Sequence, residues 1–184
     1  AGPTRESIDP MRYITNRSTG KMGYNIAIEA IKRGAKVTLI SGPTNLEVPK
    51  GLHKFIQIES AKQMYDEVIT NLDDNDVIIK SAAVADYKPA NYYDKKIKKS
   101  DDDLYLKLER NKDIAKEIGK LKKDKILVGL AAETDDIIEN AKSKVIKKNM
   151  DFIVANDLTK EGAGFSVDTN IVKIIDKEGD ITDY

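Results

Sequence analysis

Residues 22–40 read MGYNIAIEAIKRGAKVTLI, and this stretch decides the fold class. The apolar positions of its first part recur at helical spacing, at Met22, Ile26, Ala27, Ala30 and Ile31. Gly34 then provides a left-handed helix end, and residues 37–40 form a short apolar run that is typical of a buried strand. The stretch therefore predicts an amphipathic helix followed by a strand.

The same alternation recurs along the chain. Ser60 and Gln63 form a capping box at the start of a second helical pattern. Further helices are predicted around Ile118 and after Thr134, which can cap the last one. The remaining apolar runs predict strands at residues 77–79, 126–130 and 152–155. Together these patterns predict an α/β fold with a Rossmann-like, open, mostly parallel sheet and helices on both faces.

Two segments depart from this plan. Leu104, Leu106 and Leu108 alternate with other residues, which predicts a half-buried antiparallel strand. Residues 171–175 precede a turn-forming stretch and predict part of a hairpin. We expect both to form a small antiparallel extension at a sheet edge or in a subunit contact, within a single domain over residues 1–184.

Composition excludes several function classes. The 184 residues include 31 Lys and Arg against 31 Asp and Glu, so general binding to nucleic acid or to an acidic membrane is not expected. The absence of cysteine excludes disulfides and thiolate chemistry. No run approaches the roughly 18 apolar residues of a membrane span. We therefore expect a cytoplasmic protein in which no side-chain cluster binds a metal and any metal arrives with phosphates.

Residues 18–23, STGKMG, lead directly into the first helix. Their N–H groups and the helix dipole suit a phosphate, although a glycine-punctuated helix start explains the pattern equally well. Met22 excludes a Walker A loop, because it occupies the position of the Ser or Thr. The candidate phosphate or substrate residues in this loop are Ser18, Gly20, Lys21 and Gly23.

Several charged residues have two interpretations each. Asp86 follows a small-residue run and suits either a ribose or base contact or an ordinary turn. The lysine-rich residues 95–99 suit a cationic loop over a triphosphate, but charge runs are usually solvated surface. Lys144 and Lys148 lie one helical turn apart, which by itself favours a solvated helix face.

Residues 8–23, IDPMRYITNRSTGKMG, carry a more specific signal. This stretch resembles phosphopantothenoylcysteine synthetases, the phosphopantothenate–cysteine ligase (CoaB) part of bifunctional coenzyme A biosynthesis proteins. The resemblance covers nearly the whole chain. It continues in family order through residues 41–44, 82–87, 96–99, 131–134, 148–149 and 155–157.

The resemblance implies a two-step reaction. The carboxylate of 4'-phosphopantothenate attacks the α-phosphate of CTP, with Mg²⁺ assisting, and an acyl-cytidylate and pyrophosphate result. The amine of L-cysteine then displaces CMP to form 4'-phosphopantothenoylcysteine. By residue matching, Lys96 is tied to formation of the acyl-cytidylate, Asn16 to its conversion, and Arg12 to a supporting role.

The resemblance also implies nucleotide contacts and partners. The matched nucleotide-binding residues are Lys80, Ser81, Ala82, Asp86, Lys96, Lys112, Asp113, Ile114, Ala115, Leu130, Lys144 and Lys148. Leu130 stands where the family often has Phe, and Lys112 where it has Pro. A homodimer is implied, as is a flavoprotein, phosphopantothenoylcysteine decarboxylase, fused to the ligase or acting in the same pathway.

Departures from the family keep alternatives open. The family has a strand ending in the opening Ala1-Gly2-Pro3-Thr4 and a helix after Tyr184, so we expect both to be missing from this sequence. Tyr92 and Lys96 fit the Tyr-x-x-x-Lys spacing of an NADPH-binding short-chain-type reductase. A noncatalytic nucleotide-binding module is the third interpretation. The preference for CTP over ATP comes from the resemblance alone.

Overall fold

A computed structural model describes residues 1–99, 102–133, 137–157 and 171–184, and its described residues fall into two compact units. The first unit comprises residues 1–68 and 82–112, and the second comprises residues 69–81 and 113–184. The helices are α1 (Lys21–Lys32), α2 (Ala61–Thr70), α3 (Ile114–Leu121) and α4 (Ile137–Lys147). The strands are β1 (Arg5–Ser7), β2 (Tyr13–Thr15), β3 (Thr38–Ser41), β4 (Lys54–Gln57), β5 (Val77–Lys80), β6 (Tyr87–Pro89), β7 (Leu108–Arg110), β8 (Ile126–Glu133), β9 (Phe152–Asp157), β10 (Val172–Asp176) and β11 (Ile181–Asp183).

The first unit contains three two-stranded sheets. β1 and β2 form an antiparallel hairpin, β3 and β4 are parallel, and β6 and β7 are antiparallel. Tyr24 and Ala27 of α1 are buried in a cluster with Leu39 of β3. The helix-then-strand prediction for residues 22–40 is therefore confirmed, and Gly34 has the expected left-handed backbone, with φ of 84°.

The capping box predicted for α2 is confirmed in both directions. Ser60 Oγ accepts a hydrogen bond from the Gln63 N–H at 3.2 Å, and Gln63 Oε1 accepts one from the Ser60 N–H at 3.0 Å. A third group, the buried carboxylate of Glu6, accepts from the Ala61 N–H at 2.8 Å. Three N–H groups at the start of α2 are thus satisfied by side chains.

The second unit is built on one open, five-stranded sheet in the order β11-β10-β9-β8-β5. β5, β8 and β9 are parallel, and β10 and β11 extend the sheet in antiparallel fashion. The α/β fold with a small antiparallel extension is thus confirmed, as is the predicted C-terminal hairpin.

Register places Leu127, Ile153 and Ile175 on one face of this sheet, where they are fully buried. α4 packs on β8, β9 and β10, and α3 packs on β8. Val77 and Phe152, which belong to the other face, are 48% and 38% exposed. The alternation of burial along each strand follows from the period of two residues between side chains on one face.

The antiparallel strand predicted over Leu104, Leu106 and Leu108 is largely wrong. Only Leu108–Arg110 pairs as a strand, against Tyr87–Pro89, and the partner strand has only three residues. Leu104 and Leu108 are 53% and 44% exposed, so the alternating leucines do not form the expected half-buried face.

The predicted cap Thr134 lies outside the described residues. Within the described residues, no helix has both the length and the apolar character needed to cross a bilayer.

The capping box gives a stability test. Ser60→Ala removes the acceptor for the Gln63 N–H and is expected to lower the free energy of unfolding by about 1 kcal/mol. Ser143→Ala is the matched control, because Ser143 lies inside α4, where Ala is the better helix former. Urea unfolding of both variants checks this prediction. Equal stability of Ser60→Ala and the wild type would contradict it.

Candidate functional site

The chain start lies beside the small-residue segment 82–86 in the first unit. The Ala83 N–H donates to the Gly2 carbonyl at 3.0 Å, and the Ala85 N–H donates to Thr4 Oγ1 at 3.0 Å. The chain start also lies against the segment that contains Gly42. Glycine is required there, because a Cβ added at Gly42 would be 1.7 Å from the Pro3 carbonyl oxygen. The quoted motifs at residues 1–4 and 41–44 therefore pack backbone against backbone.

A tight turn at residues 8–12 contains the most constrained acid of this unit. Asp9 is buried, and its Oδ1 accepts from the N–H groups of Met11 and Arg12 at 2.8 and 2.9 Å. Its Oδ2 accepts from Arg12 Nε at 3.0 Å and Nη2 at 2.5 Å. The Arg12 guanidinium holds the pKa of Asp9 well below its usual range, although burial acts against this shift.

The lysine-rich segment is attached to this turn. The Ile97 N–H donates to Asp9 Oδ2 at 3.1 Å, and Arg12 Nη2 donates to the Ile97 carbonyl at 3.1 Å. The Tyr93 N–H donates to the Ile8 carbonyl at 3.0 Å. Lys96 is exposed and lies between these two points of attachment. Arg12 therefore contacts the main chain of the residue that follows Lys96.

Asn16 reaches the small-residue segment directly. Its Nδ2 donates to the carbonyls of Ala83 and Val84 at 3.3 and 3.2 Å. The neighbouring Asp86 is exposed, and its carbonyl accepts from the Asn111 N–H at 2.8 Å. Asn16 thus lies against the strand-end segment on which the matched nucleotide contacts Ala82 and Asp86 were predicted.

The glycine loop before α1 uses some of its own donors. Ser18 Oγ accepts from the Gly20 N–H and Thr19 Oγ1 accepts from the Lys21 N–H, both at 3.3 Å. Gly20 has φ of 80° and precedes α1, in which Gly23 is buried. Two of the N–H groups that a phosphate would need are therefore already paired within the loop.

Another group of predicted residues meets in the second unit. Lys148 Nζ lies 3.0 Å from Asp113 Oδ2, and Asp113 caps α3 by accepting from the Lys116 N–H at 3.1 Å. Burial by itself would raise the pKa of Asp113, but the two hydrogen bonds together with the charge of Lys148 lower it. Lys80 adds to the lowering through its charge. Lys80, Asp113 and Lys148 therefore form one electrostatic group.

A close helix contact sets the position of Lys148. A Cβ at Gly119 of α3 would lie 1.9 Å from the Lys148 carbonyl oxygen at the end of α4. Asn149 adopts a left-handed backbone, with φ of 49°, and its Nδ2 donates to the Gly119 carbonyl at 2.8 Å. The bare backbone of Gly119 thus lets α3 and the end of α4 approach each other, and Lys148 extends to the start of α3.

The remaining predicted nucleotide contacts occupy different environments. Ile114 and Ala115 are buried in the first turn of α3, so their side chains face the core. Leu130 is half-buried on β8 opposite Val154. Half-buried positions are also found for Ser81 after β5 and Lys144 on α4. In the first unit, Lys112 Nζ lies 4.5 Å from the centroid of the Tyr65 ring, which is a cation–π contact.

Tyr92 and Lys96 do not lie on one helix, as the Tyr and Lys of a reductase pair would. Both residues lie outside the helices, in an irregular segment, so four residues of separation do not place them one helical turn apart. In the described part of the chain, no group of three or more His, Cys, Asp or Glu side chains is arranged to hold a metal ion.

Fold and site together define a Rossmann-like α/β protein whose polar residues gather at strand ends and helix starts. The chain belongs to the family of the DNA/pantothenate metabolism flavoprotein C-terminal domain, whose family model matches residues 1–184.

Individual relatives agree with this membership. The chain is 54% identical over 179 residues to the coenzyme A biosynthesis bifunctional protein CoaBC of Bacillus subtilis (strain 168), covering 97% of this chain and 44% of that protein. It thus spans less than half of that relative. The crystal structure of the C-terminal domain of a CoaBC protein matches with a TM-score of 0.83 and 43% identity, over 100% of this chain and 82% of the other. The DNA/pantothenate metabolism flavoprotein from Streptococcus pneumoniae matches with a TM-score of 0.87 and 26% identity, over 100% and 89%.

Sequence reasoning missed three residues that position predicted site residues within their own units. Asp9 lies in the motif of residues 8–23, and its place before Pro10 is a turn signal that predicts its local hydrogen bonds but not its distant one. Gly119 and Asn149 produce the contact between α3 and α4. A glycine inside a helical pattern can indicate close packing, but its partner is invisible until the helices are placed.

The helix contact gives a second stability test. Gly119→Ala improves helix propensity, yet the new Cβ would overlap the Lys148 carbonyl, so we expect the free energy of unfolding to fall by about 2 kcal/mol. Gly34→Ala is the comparison, because a Cβ there meets open space and only the positive φ costs about 1 kcal/mol. Chemical denaturation of both variants measures the difference. A Gly119→Ala protein more stable than the wild type would refute the close contact.

Proposed function

We propose that the chain is the phosphopantothenate–cysteine ligase part of a coenzyme A biosynthesis protein, with CTP as the activating nucleotide. The observation that carries the proposal is the 54% identity to the Bacillus subtilis CoaBC protein over 97% of this chain. The match to the C-terminal domain of a CoaBC protein supports assignment to the ligase part. The attachment of Lys96, Arg12 and Asn16 to neighbouring segments of one unit adds chemical support.

In the first step, a carboxylate oxygen of 4'-phosphopantothenate attacks the α-phosphorus of CTP. A new P–O bond forms, the bond from that phosphorus to the β-phosphate oxygen breaks, and pyrophosphate leaves with the electron pair. An anionic acid approaching a polyanion is repelled, so positioned cations and N–H donors must stabilise the transition state. We assign this role to Lys96, with Arg12 in support.

In the second step, the amine of L-cysteine attacks the acyl carbonyl. The amide C–N bond forms, the C–O bond to CMP breaks, and the amine loses its proton as CMP departs. We assign Asn16 to this step, because the family resemblance ties it to conversion of the acyl-cytidylate and its side-chain amide is held beside residues 83–84.

We assign the nucleotide to the residues that match the family's nucleotide contacts. Mg²⁺ accompanies it as part of the substrate, where it offsets phosphate charge, since Mg²⁺ is usually held through substrate phosphates with few protein ligands. The proposed phosphate-binding cations are Lys80, Lys144 and Lys148, and the strand-end and helix-start contacts are Ser81, Ala82, Asp86, Lys112, Asp113, Ile114, Ala115 and Leu130.

We propose a cytoplasmic homodimer whose product passes to a flavoprotein decarboxylase that is fused to the ligase or acts in the same pathway. We place the subunit contact at the segment of Leu104, Tyr105 and Leu108, whose side chains are each exposed.

Nucleotide dependence tests the function. The full-length protein is mixed with 4'-phosphopantothenate, Mg²⁺ and either CTP or ATP, and pyrophosphate is measured. We expect release with CTP that requires phosphopantothenate, followed by CMP release when L-cysteine is added. The reaction without phosphopantothenate is the control. No pyrophosphate with either nucleotide from folded protein would refute the ligase.

Two variants test the division of roles. Lys96→Gln should lower pyrophosphate release by about 100-fold, because it removes a cation that stabilises transition-state charge. Asn16→Asp should still release pyrophosphate but accumulate the acyl-cytidylate, detected by mass spectrometry of quenched reactions. Lys95→Gln is the matched control, since it removes a neighbouring exposed lysine. Loss of the same step in Lys96→Gln and Asn16→Asp would contradict the assignment.

A further inference from the structure

The buried carboxylate of Asp9 does more than complete its own turn. Four of its hydrogen bonds are local: two come from the N–H groups of Met11 and Arg12, and two come from Arg12 Nε and Nη2. The fifth comes from the Ile97 N–H, 88 residues away in sequence. The turn alone would leave this last acceptor position unused.

Three residues close a ring of hydrogen bonds. Ile97 donates its N–H to Asp9 Oδ2, Arg12 Nη2 donates to the same oxygen, and Arg12 Nη2 also donates to the Ile97 carbonyl. Both main-chain polar groups of Ile97 are therefore held by one ion pair. Bonds to ionised groups are stronger than neutral ones, and the Asp9 side chain that accepts them is buried, whereas the Arg12 side chain is 42% exposed.

We propose that Asp9 is a positioning residue that fixes the main chain next to Lys96 and thereby presents Lys96 for the first chemical step. This inference rests on the proposed function of Lys96. The Lys96 side chain is long and exposed, and a fixed main chain limits the region that its ammonium group can reach. The bond from Tyr93 to Ile8 anchors the other side of Lys96 to the same turn.

Arg12 takes part in the same positioning. Its guanidinium is engaged with Asp9 and with the Ile97 carbonyl, so part of its supporting role is to hold the lysine segment in place. Asp9→Asn cannot preserve this arrangement. The amide would keep one acceptor oxygen but would direct an NH₂ group toward donors of Arg12, Met11 or Ile97.

Asp9→Asn is therefore compared with Glu6→Gln in the full-length protein. Glu6 is the matched control, because it is also a buried carboxylate of this unit but binds the start of α2. We expect Asp9→Asn to raise amide deuterium exchange of a peptide spanning residues 92–99 by at least about tenfold and to lower kcat for pyrophosphate release by a similar factor. Glu6→Gln should change both by less than about twofold once corrected for its folded fraction.

A second pair of variants tests the link without altering the acid. Ile97→Pro deletes the N–H group that donates a hydrogen bond to Asp9 Oδ2. Ile97→Ala keeps this N–H group and shortens only the side chain. We expect at least about tenfold loss of pyrophosphate release for Ile97→Pro and less than about threefold for Ile97→Ala. This pair decides the question if Asp9→Asn does not fold.

Wild-type exchange at residues 92–99 in a folded Asp9→Asn protein, or full activity of Ile97→Pro, would overturn the positioning role. Failure of the proposed ligase function has a different signature. In that case the wild type releases no pyrophosphate, while the exchange difference between Asp9→Asn and Glu6→Gln still reports whether Asp9 holds this segment.

Discussion

A buried carboxylate has to be paired, and the first unit is organised around that requirement at Asp9. A charge removed from water is costly unless donors replace its hydration, so the chain must bring N–H groups to both oxygens. The local turn supplies most of them, but the Ile97 N–H has to arrive from far along the chain. Satisfying one acid therefore joins two segments that sequence distance would leave independent, and Lys96 lies on the second of them.

Close backbone approach is the second organising constraint, and each unit has one clear instance. At Gly42 the main chain nearly touches Pro3, and at Gly119 it nearly touches Lys148. No side chain fits at either position, so the contact is made by peptide groups whose geometry is nearly rigid. The result is precise placement of the chain start beside residues 83–85 and of Lys148 beside Asp113.

Two of the cations proposed to act on phosphates form an ion pair with an acidic side chain of the same unit. Arg12 is held by Asp9 and Lys148 is held by Asp113, so two long, flexible side chains are fixed by acids. Ordering such side chains costs about 1.5–2 kcal/mol each, and an acid that orders them in advance lowers this cost when a substrate binds.

Local sequence patterns determined the helices and the longer strands of this protein, because each depends on spacing within a few residues, but they did not predict the short strands β1, β2, β4 and β6. The helix and strand of residues 22–40, the capping box of Ser60 and Gln63, and the final hairpin were all predictable for that reason. The leucines at 104–108 show the limit, since an alternating pattern forms a strand only where a partner strand lies alongside it. Motif resemblance named Arg12, Asn16 and Lys96 but gave no distances between them. Only the tertiary structure decided that Asp9 binds Ile97 and that Gly119 meets Lys148, because such contacts depend on where distant segments meet in space.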